Sequence, residues 1–425
     1  MYSTAGWFYA HQNYCHTPPV IPRKRIDIGW RDLAYGLFAG LFARDRKGTQ
    51  STVEHYWSPH GDALAALSVR SAFDLVLQQL ALPHDSEVLV SAVTIRDMVA
   101  VIEHHGLVAV PIDLDPASCA VNLDALVAAI TPRTRAVVVA HLFGSRMRMD
   151  AVVELAQRHG LFLLEDCAQA FAADAYRGHA GSDVTLFSFG TIKTATAGGG
   201  ALCRFRDTQL RNSVAARQRN YPPQPVTRFM RKLCKLAILK ALGGRLPYTL
   251  LVALCRLAGR AHDDVISRAT RGFAGGALIQ QLRQQPPAAM LALLERRLRG
   301  MTADDLAPRI AAAVSLRNQL PARRHPGAAS ALHCHWVLPI CSEQPDALVR
   351  HLCAQGFDAT RGASSLYAVP SPIGHAAAVQ AQRMMAEIVY LPFDTCASAD
   401  EIARLADLIT RFEETARVTN RDLAA

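Results

Sequence analysis

The chain has 425 residues, half of them hydrophobic and 19% charged, which fits a globular protein with one large and one smaller domain and excludes a disordered chain. The net charge of +10 is a local feature, because residues 208–262 hold eleven Lys or Arg and no acid, leaving 35 basic against 36 acidic residues elsewhere. Ten scattered cysteines with no Cys-x-x-Cys pair read as reduced thiols of a cytoplasmic protein, with no metal site.

In chain order, residues 1–61 form an N-terminal extension. It lacks a basic stretch followed by an apolar one, so no signal peptide is expected. The apolar run "LAYGLFAGLFA" from Leu33 falls short of the roughly 20 residues needed to span a bilayer. Residues 62–207 alternate short apolar runs with amphipathic segments. "EVLVSA" at Glu87, "LVAVPIDL" at Leu107, "RAVVVAHLF" at Arg135, "LFLLED" at Leu161, "VTLFSF" at Val184 and "GALCRF" at Gly200 read as strands. "SAFDLVLQQLAL", "DMVAVIEHHG", "NLDALVAAI" and "MDAVVELAQRHG" read as helices between them. This rhythm predicts an α/β large domain, a mainly parallel sheet covered by helices on both faces. Residues 208–270 form a basic helical insertion, and 271–425 a linking helix and a smaller α+β domain. His333 and His335 in "LHCHWVLPI" share one face of an expected strand, and no second ligand pair accompanies them.

Parallel strands end on one side of a sheet, where ligands gather. Asp166 closes "LFLLED" and Lys193 follows the next strand, 27 positions later, among Thr191, Thr194, Ala195 and Gly198. A carboxylate there can pair with a cationic ring nitrogen, and a desolvated lysine can attack an aldehyde. Ser188 offers a hydroxyl to a phosphate. Those three handles belong to pyridoxal phosphate. Read individually, the lysine is a solvated charge and the aspartate a helix cap.

"EDCAQAF" followed by "FSFGTIKTATAGGG" resembles the DegT-type sugar aminotransferases, enzymes with a fold-type-I pyridoxal phosphate domain. The likeness extends upstream through "EVLVSAVT", "AVPIDLDP" and "AITPRTRAVVVAHLFG". It implies that Lys193 holds the cofactor as a Schiff base and moves protons, and that Asp166 pairs with the pyridine nitrogen. By the same resemblance Gln169 sits against the ring, Ser188 binds the phosphate, and the helix start at Ser68, Arg70 and Ser71 holds the same anion. The resemblance further implies a homodimer, an amino donor such as glutamate, and a sugar-like acceptor. Three positions depart from the family pattern. Arg70 replaces a threonine, Ile95 stands where an aromatic covers the ring, and the turn after the lysine lacks its glutamate. Lys193 argues against the family's dehydratase branch, which carries histidine there.

In "TRFMRKLCKLAILKALGG" the cations Arg228, Arg231, Lys232 and Lys235 share a helical face, with Phe229, Leu233 and Leu236 on another. Three readings stand: an anionic membrane surface bound through 227–260, so that the enzyme is peripheral and its acceptor lipid-linked; a solvated hairpin; and a site for the diphosphate of a nucleotide-linked sugar. No nucleic acid partner is expected, since aromatic interleaving is missing. Two further alternatives apply to the whole chain: a pyridoxal phosphate lyase or desulfurase, and a non-catalytic basic binding protein. Cys167 reads as core packing, His141 as a pocket-side or a core histidine, and Arg271 as a phosphate contact reaching a partner.

Overall fold

The structure, a computed structural model, describes residues 19–23, 25–270, 277–321, 324–362, 365–393 and 397–424. Arg271 lies outside the described residues. The large domain is built on a seven-stranded sheet: β1 (Ala63–Ala66), β2 (Glu87–Ser91), β3 (Val108–Ile112), β4 (Thr134–Ala140), β5 (Phe162–Asp166), β6 (Val184–Ser188) and β7 (Ala201–Phe205). Their spatial order is β1-β7-β6-β5-β4-β2-β3. All neighbouring pairs from β3 to β6 run parallel, and β7 runs antiparallel to both β6 and β1. The expected mainly parallel α/β sheet is therefore the observed one. β1 has the sequence ALAA, all buried. Alanine carries no strand signal, so its sequence did not announce it.

Alternation along each strand sends side chains to opposite faces. Val88, Val90, Ala136, Val138 and Leu164 join one core with the Val69–Leu80 and Arg96–His104 helices. Leu89, Val137, Val139 and Leu163 join another with the Asp150–Arg158 helix. Beyond it, Trp30–Phe42 and Arg46–Trp57 pack on Ala288–Arg299. The apolar run at Leu33 lies in the first of these helices. A methyl on Gly36 would meet Leu233 at 2.8 Å and Leu293 at 2.9 Å, so the missing side chain is what lets three helices close together.

The insertion folds as four helices, Thr208–Arg219, Val226–Leu242, Arg245–Leu257 and His262–Thr270. The second and third meet at a bend of 97°, and among the described residues no single helix is long and apolar enough to cross a membrane. Phe229, Leu233 and Leu236 are buried. The apolar stripe read from the sequence thus faces the protein and is closed to lipid.

In the smaller domain Leu338–Cys341 pairs antiparallel with Ile388–Leu391 beneath the Ala399–Ala424 helix, around Leu348, Leu352 and Leu405. "LHCHWVLPI" is not one strand. Leu332–His333 pairs with Ser145–Arg146, the backbone turns at His335 (φ 46°), and the strand resumes at Leu338. The rings of His333 and His335 stack at 3.9 Å. The cause of the break is Gly144 (φ 100°), which approaches so closely that a methyl there would stand 2.6 Å from the Trp336 nitrogen. That approach carries Trp336 into the large domain.

Candidate active site

Asp166 ends β5, in register with Ala140 of β4 and Leu186 of β6. Its Oδ1 accepts a 2.9 Å hydrogen bond from the Ala168 amide. Burial pushes its pKa up, while the Ala168 bond and the charges of Lys193 and His141 pull it back. Asp166 borders a small cavity at the carboxyl ends of β2 and β4, walled by Ser91, Thr94, Val138 and Ala140.

Lys193 stands in a loop fixed at several points. Its amide donates to the Gly190 carbonyl at 3.0 Å, Ala195 N–H to Asp27 Oδ2 at 2.9 Å, and Gly200 N–H to the Leu67 carbonyl at 3.0 Å. The amine lies 3.8 Å above the Trp336 ring, whose indole N–H donates to the Ile192 carbonyl at 2.9 Å. Burial, reinforced by the charge of Arg70 and opposed by that of Asp166, brings the Lys193 pKa down to about 8. Ser188 ends β6 on the same side. A methyl added to Gly190 would stand 3.6 Å from Ser188 Oγ and 4.0 Å from Lys193 Cγ, so hydroxyl and lysine stem flank one glycine.

Gln169 has its side-chain oxygen fixed by the Phe143 amide at 2.8 Å. Ser68 caps the Val69–Leu80 helix by accepting from Ser71 N–H at 3.1 Å, and the two hydroxyls bond at 2.9 Å. The Ser71 N–H is therefore spent on the cap, which lies at the start of a helix whose N-terminus favours an anion. Arg70 is ion-paired with Asp97, so part of its guanidinium is already engaged. Ile95 precedes the Arg96–His104 helix and pairs in sheet register with Leu366 of the smaller domain.

Two neighbours were invisible to motif reading. Trp336 comes from the smaller domain, 144 positions from the Ile192 it bonds. Lys232 comes from the insertion, whose basic face the sequence left open to a membrane, to solvent or to a diphosphate. Its amine lies 3.6 Å from where a Gly199 methyl would be, beside the Leu67 carbonyl, and Gly198 packs against Leu236. Burial and the nearby charges of Arg70, Arg228 and Lys235 lower its pKa to about 8. Among the described residues no acid pairs with it.

His141, Glu165 and Cys167 bring three ligand-type atoms within 4.8 Å of one another. Their capacity is spent internally: His141 Nδ1 accepts from Met147 N–H at 3.1 Å, Nε2 bonds Glu165 at 2.9 Å, and Cys167 Sγ donates to Glu165 at 3.3 Å. Although burial opposes it, bonds from His141, Tyr176 and Ser182 hold Glu165 well below the usual carboxylate range. The same burial and the Glu165 charge push the Cys167 thiol far up. His141 thus supports β5 from behind Asp166.

Solved aminotransferases share this fold. Aminotransferase TlmJ from Streptoalloteichus hindustanus superposes with a TM-score of 0.67 over 93% of this chain and 99% of that one, at 18% identity. The pseudaminic acid pathway aminotransferase PseC of Helicobacter pylori gives 0.66 over 93% and 100%, at 14% identity. Residues 51–223, less than half the chain, match the DegT/DnrJ/EryC1/StrS aminotransferase family, as the motifs led one to expect. The match stops just before the Val226–Leu242 helix. Spore coat polysaccharide biosynthesis protein SpsC of Bacillus subtilis is 35% identical over 154 residues, 36% of this chain and 40% of that protein. L-glutamine:2-deoxy-scyllo-inosose aminotransferase of Streptomyces fradiae is 34% identical over 185 residues, 42% of each. The matches thus span about two fifths of the length of these curated relatives.

Proposed function

We propose that this protein is a pyridoxal phosphate-dependent aminotransferase acting on a sugar-like ketone or aldehyde, with glutamate or glutamine as donor. The observation that carries the reading is the Lys193 amine, held over Trp336 with a pKa of about 8 and facing the charge of Asp166. The similarity to relatives named as aminotransferases of an inosose and of a UDP-sugar supports the substrate class.

The residues fit the cofactor. Lys193 would supply the amine, Ser188 and the start of the Val69–Leu80 helix would hold the phosphate, and Lys232 and Arg70 would supply positive charge. The bound cofactor contributes an aldehyde and an electron-withdrawing ring. Asp166 is costly to ionise where it is buried, and a protonated ring nitrogen held next to it would offset that cost. Gln169, its oxygen fixed by the Phe143 amide, would have its side-chain NH2 left to donate to the cofactor. With a pKa of about 8, roughly a tenth of Lys193 is the neutral amine at pH 7, the form that would take up a proton at carbon in one half-reaction and deliver one in the other. Trp336 keeps that amine in place and out of bulk water.

We further propose a homodimer that works at an anionic membrane face through residues 227–260. Ile238, Leu246, Leu250, Leu254 and Leu257 are exposed there, alongside the exposed Arg231, Lys235, Arg256 and Arg260.

The test of the catalytic reading is borohydride reduction in the presence of pyridoxal phosphate, followed by peptide mapping. The expected product is a pyridoxyl group on Lys193, and glutamate added before reduction protects that lysine. Modification of other lysines with Lys193 untouched refutes it.

A further inference from the structure

We propose that the pocket between the insertion and the smaller domain holds the hydrocarbon chain of the amino acceptor, making the substrate an amphiphile. The pocket encloses about 970 Å³, counting the space at its mouth. Leu239, Leu242 and Leu251 of the insertion form one wall, and Val337, Leu391 and Phe393 of the smaller domain form the other. Ile192 and Trp336 belong to its lining, and the Lys193 amine lies on the Trp336 ring. A chain seated here would lie against the ring that carries the Lys193 amine.

The polar groups of the lining decide what kind of ligand fits. Arg23 donates through Nε and a terminal nitrogen to Asp358, each at 2.8 Å, and is also paired with Asp263. The Tyr248 hydroxyl donates to the same buried Asp358, which also bonds His262 at 2.9 Å. The Trp336 N–H is spent on Ile192. A sugar ring or a nucleobase here would lose water without gaining partners from these groups. An alkyl or isoprenoid chain loses nothing and gains burial. The helix that lines the pocket through Tyr248 and Leu251 shows Leu246, Leu250, Leu254 and Leu257 to the outside, so the apolar lining adjoins an apolar outer surface.

The inference rests on the aminotransferase reading only in calling the occupant the acceptor. The experiment uses the full chain in detergent-free buffer with dansylaminoundecanoic acid, followed by fluorescence. Farnesyl phosphate should displace the probe and isopentenyl phosphate should not. Leu251→Arg puts a charge in the lining and Leu239→Trp fills it from the other helix. Each should weaken binding about ten-fold or more, while the outward Leu254→Arg leaves it unchanged. Wild-type affinity in both lining variants, or loss in Leu254→Arg instead, overturns the pocket. Borohydride trapping at Lys193 is measured on the same samples. Trapping without probe binding removes only the pocket. Probe binding that responds to the lining variants without trapping removes the aminotransferase reading and leaves the hydrocarbon site.

Discussion

The chemistry at Lys193 is set by a balance between burial and one carboxylate. Burial lowers the amine's pKa to about 8, and the Asp166 charge works in the opposite direction by favouring the ammonium form. Only the neutral amine attacks an aldehyde, so capture of pyridoxal phosphate should speed up as pH rises through about 8 and level off above it. Asp166→Asn removes the opposing charge. The midpoint of the capture-rate profile, followed by absorbance, should then move to lower pH, and an alkaline shift would contradict the geometry. These two residues and Ser188 were legible in the sequence because they lie on adjacent strand ends within one short segment. Trp336 was not, because the contact that places it depends on Gly144 meeting a distant chain segment, which no local pattern records. Lys232 was left among three readings, membrane, solvent and diphosphate, because helical periodicity gives a face and not what covers it.

Among the elements, the long apolar strands and their amphipathic helices were readable, since period alone distinguishes them. β1 was missed for want of β-branched residues, and "LHCHWVLPI" was taken as one strand because the turn at His335 comes from packing against Gly144 rather than from a turn residue. The Val226–Leu242 helix shows the same limit. Its stripe of Phe229, Leu233 and Leu236 was visible, but its burial against Gly36 and Gly198 was not. The insertion is therefore part of the core. Leu233→Ala should cost about 2–5 kcal/mol in urea unfolding, as truncations of buried leucines do. Leu250→Ala, on the exposed face of the next helix, should change stability by no more than about 0.5 kcal/mol. Equal small effects from both would mean that the helix is only loosely attached.

At the level of the whole molecule, the uneven charge and the exposed leucines have to be explained together. A solvated hairpin accounts for the cations but leaves Leu246 at 77% and Leu257 at 85% exposure with no compensating partner. A diphosphate site accounts for Lys232, which points inward, but not for Arg231, Lys235, Arg256 and Arg260, which are exposed. The anionic bilayer proposed above would meet both demands, because leucines would enter the interface while cations stayed at headgroup level, each adding about 1 kcal/mol near such a surface. The full chain should float with vesicles containing anionic lipid at low salt. It should stay behind with purely zwitterionic vesicles, and it should be released as salt screens the charges. Replacing Leu246, Leu250 and Leu254 together by serine should abolish flotation while leaving pyridoxal phosphate trapping at Lys193 intact. If the wild type fails to float, and the triple variant instead halves the mass measured by light scattering, the leucine face is the seam between two copies of the chain and the membrane proposal is wrong.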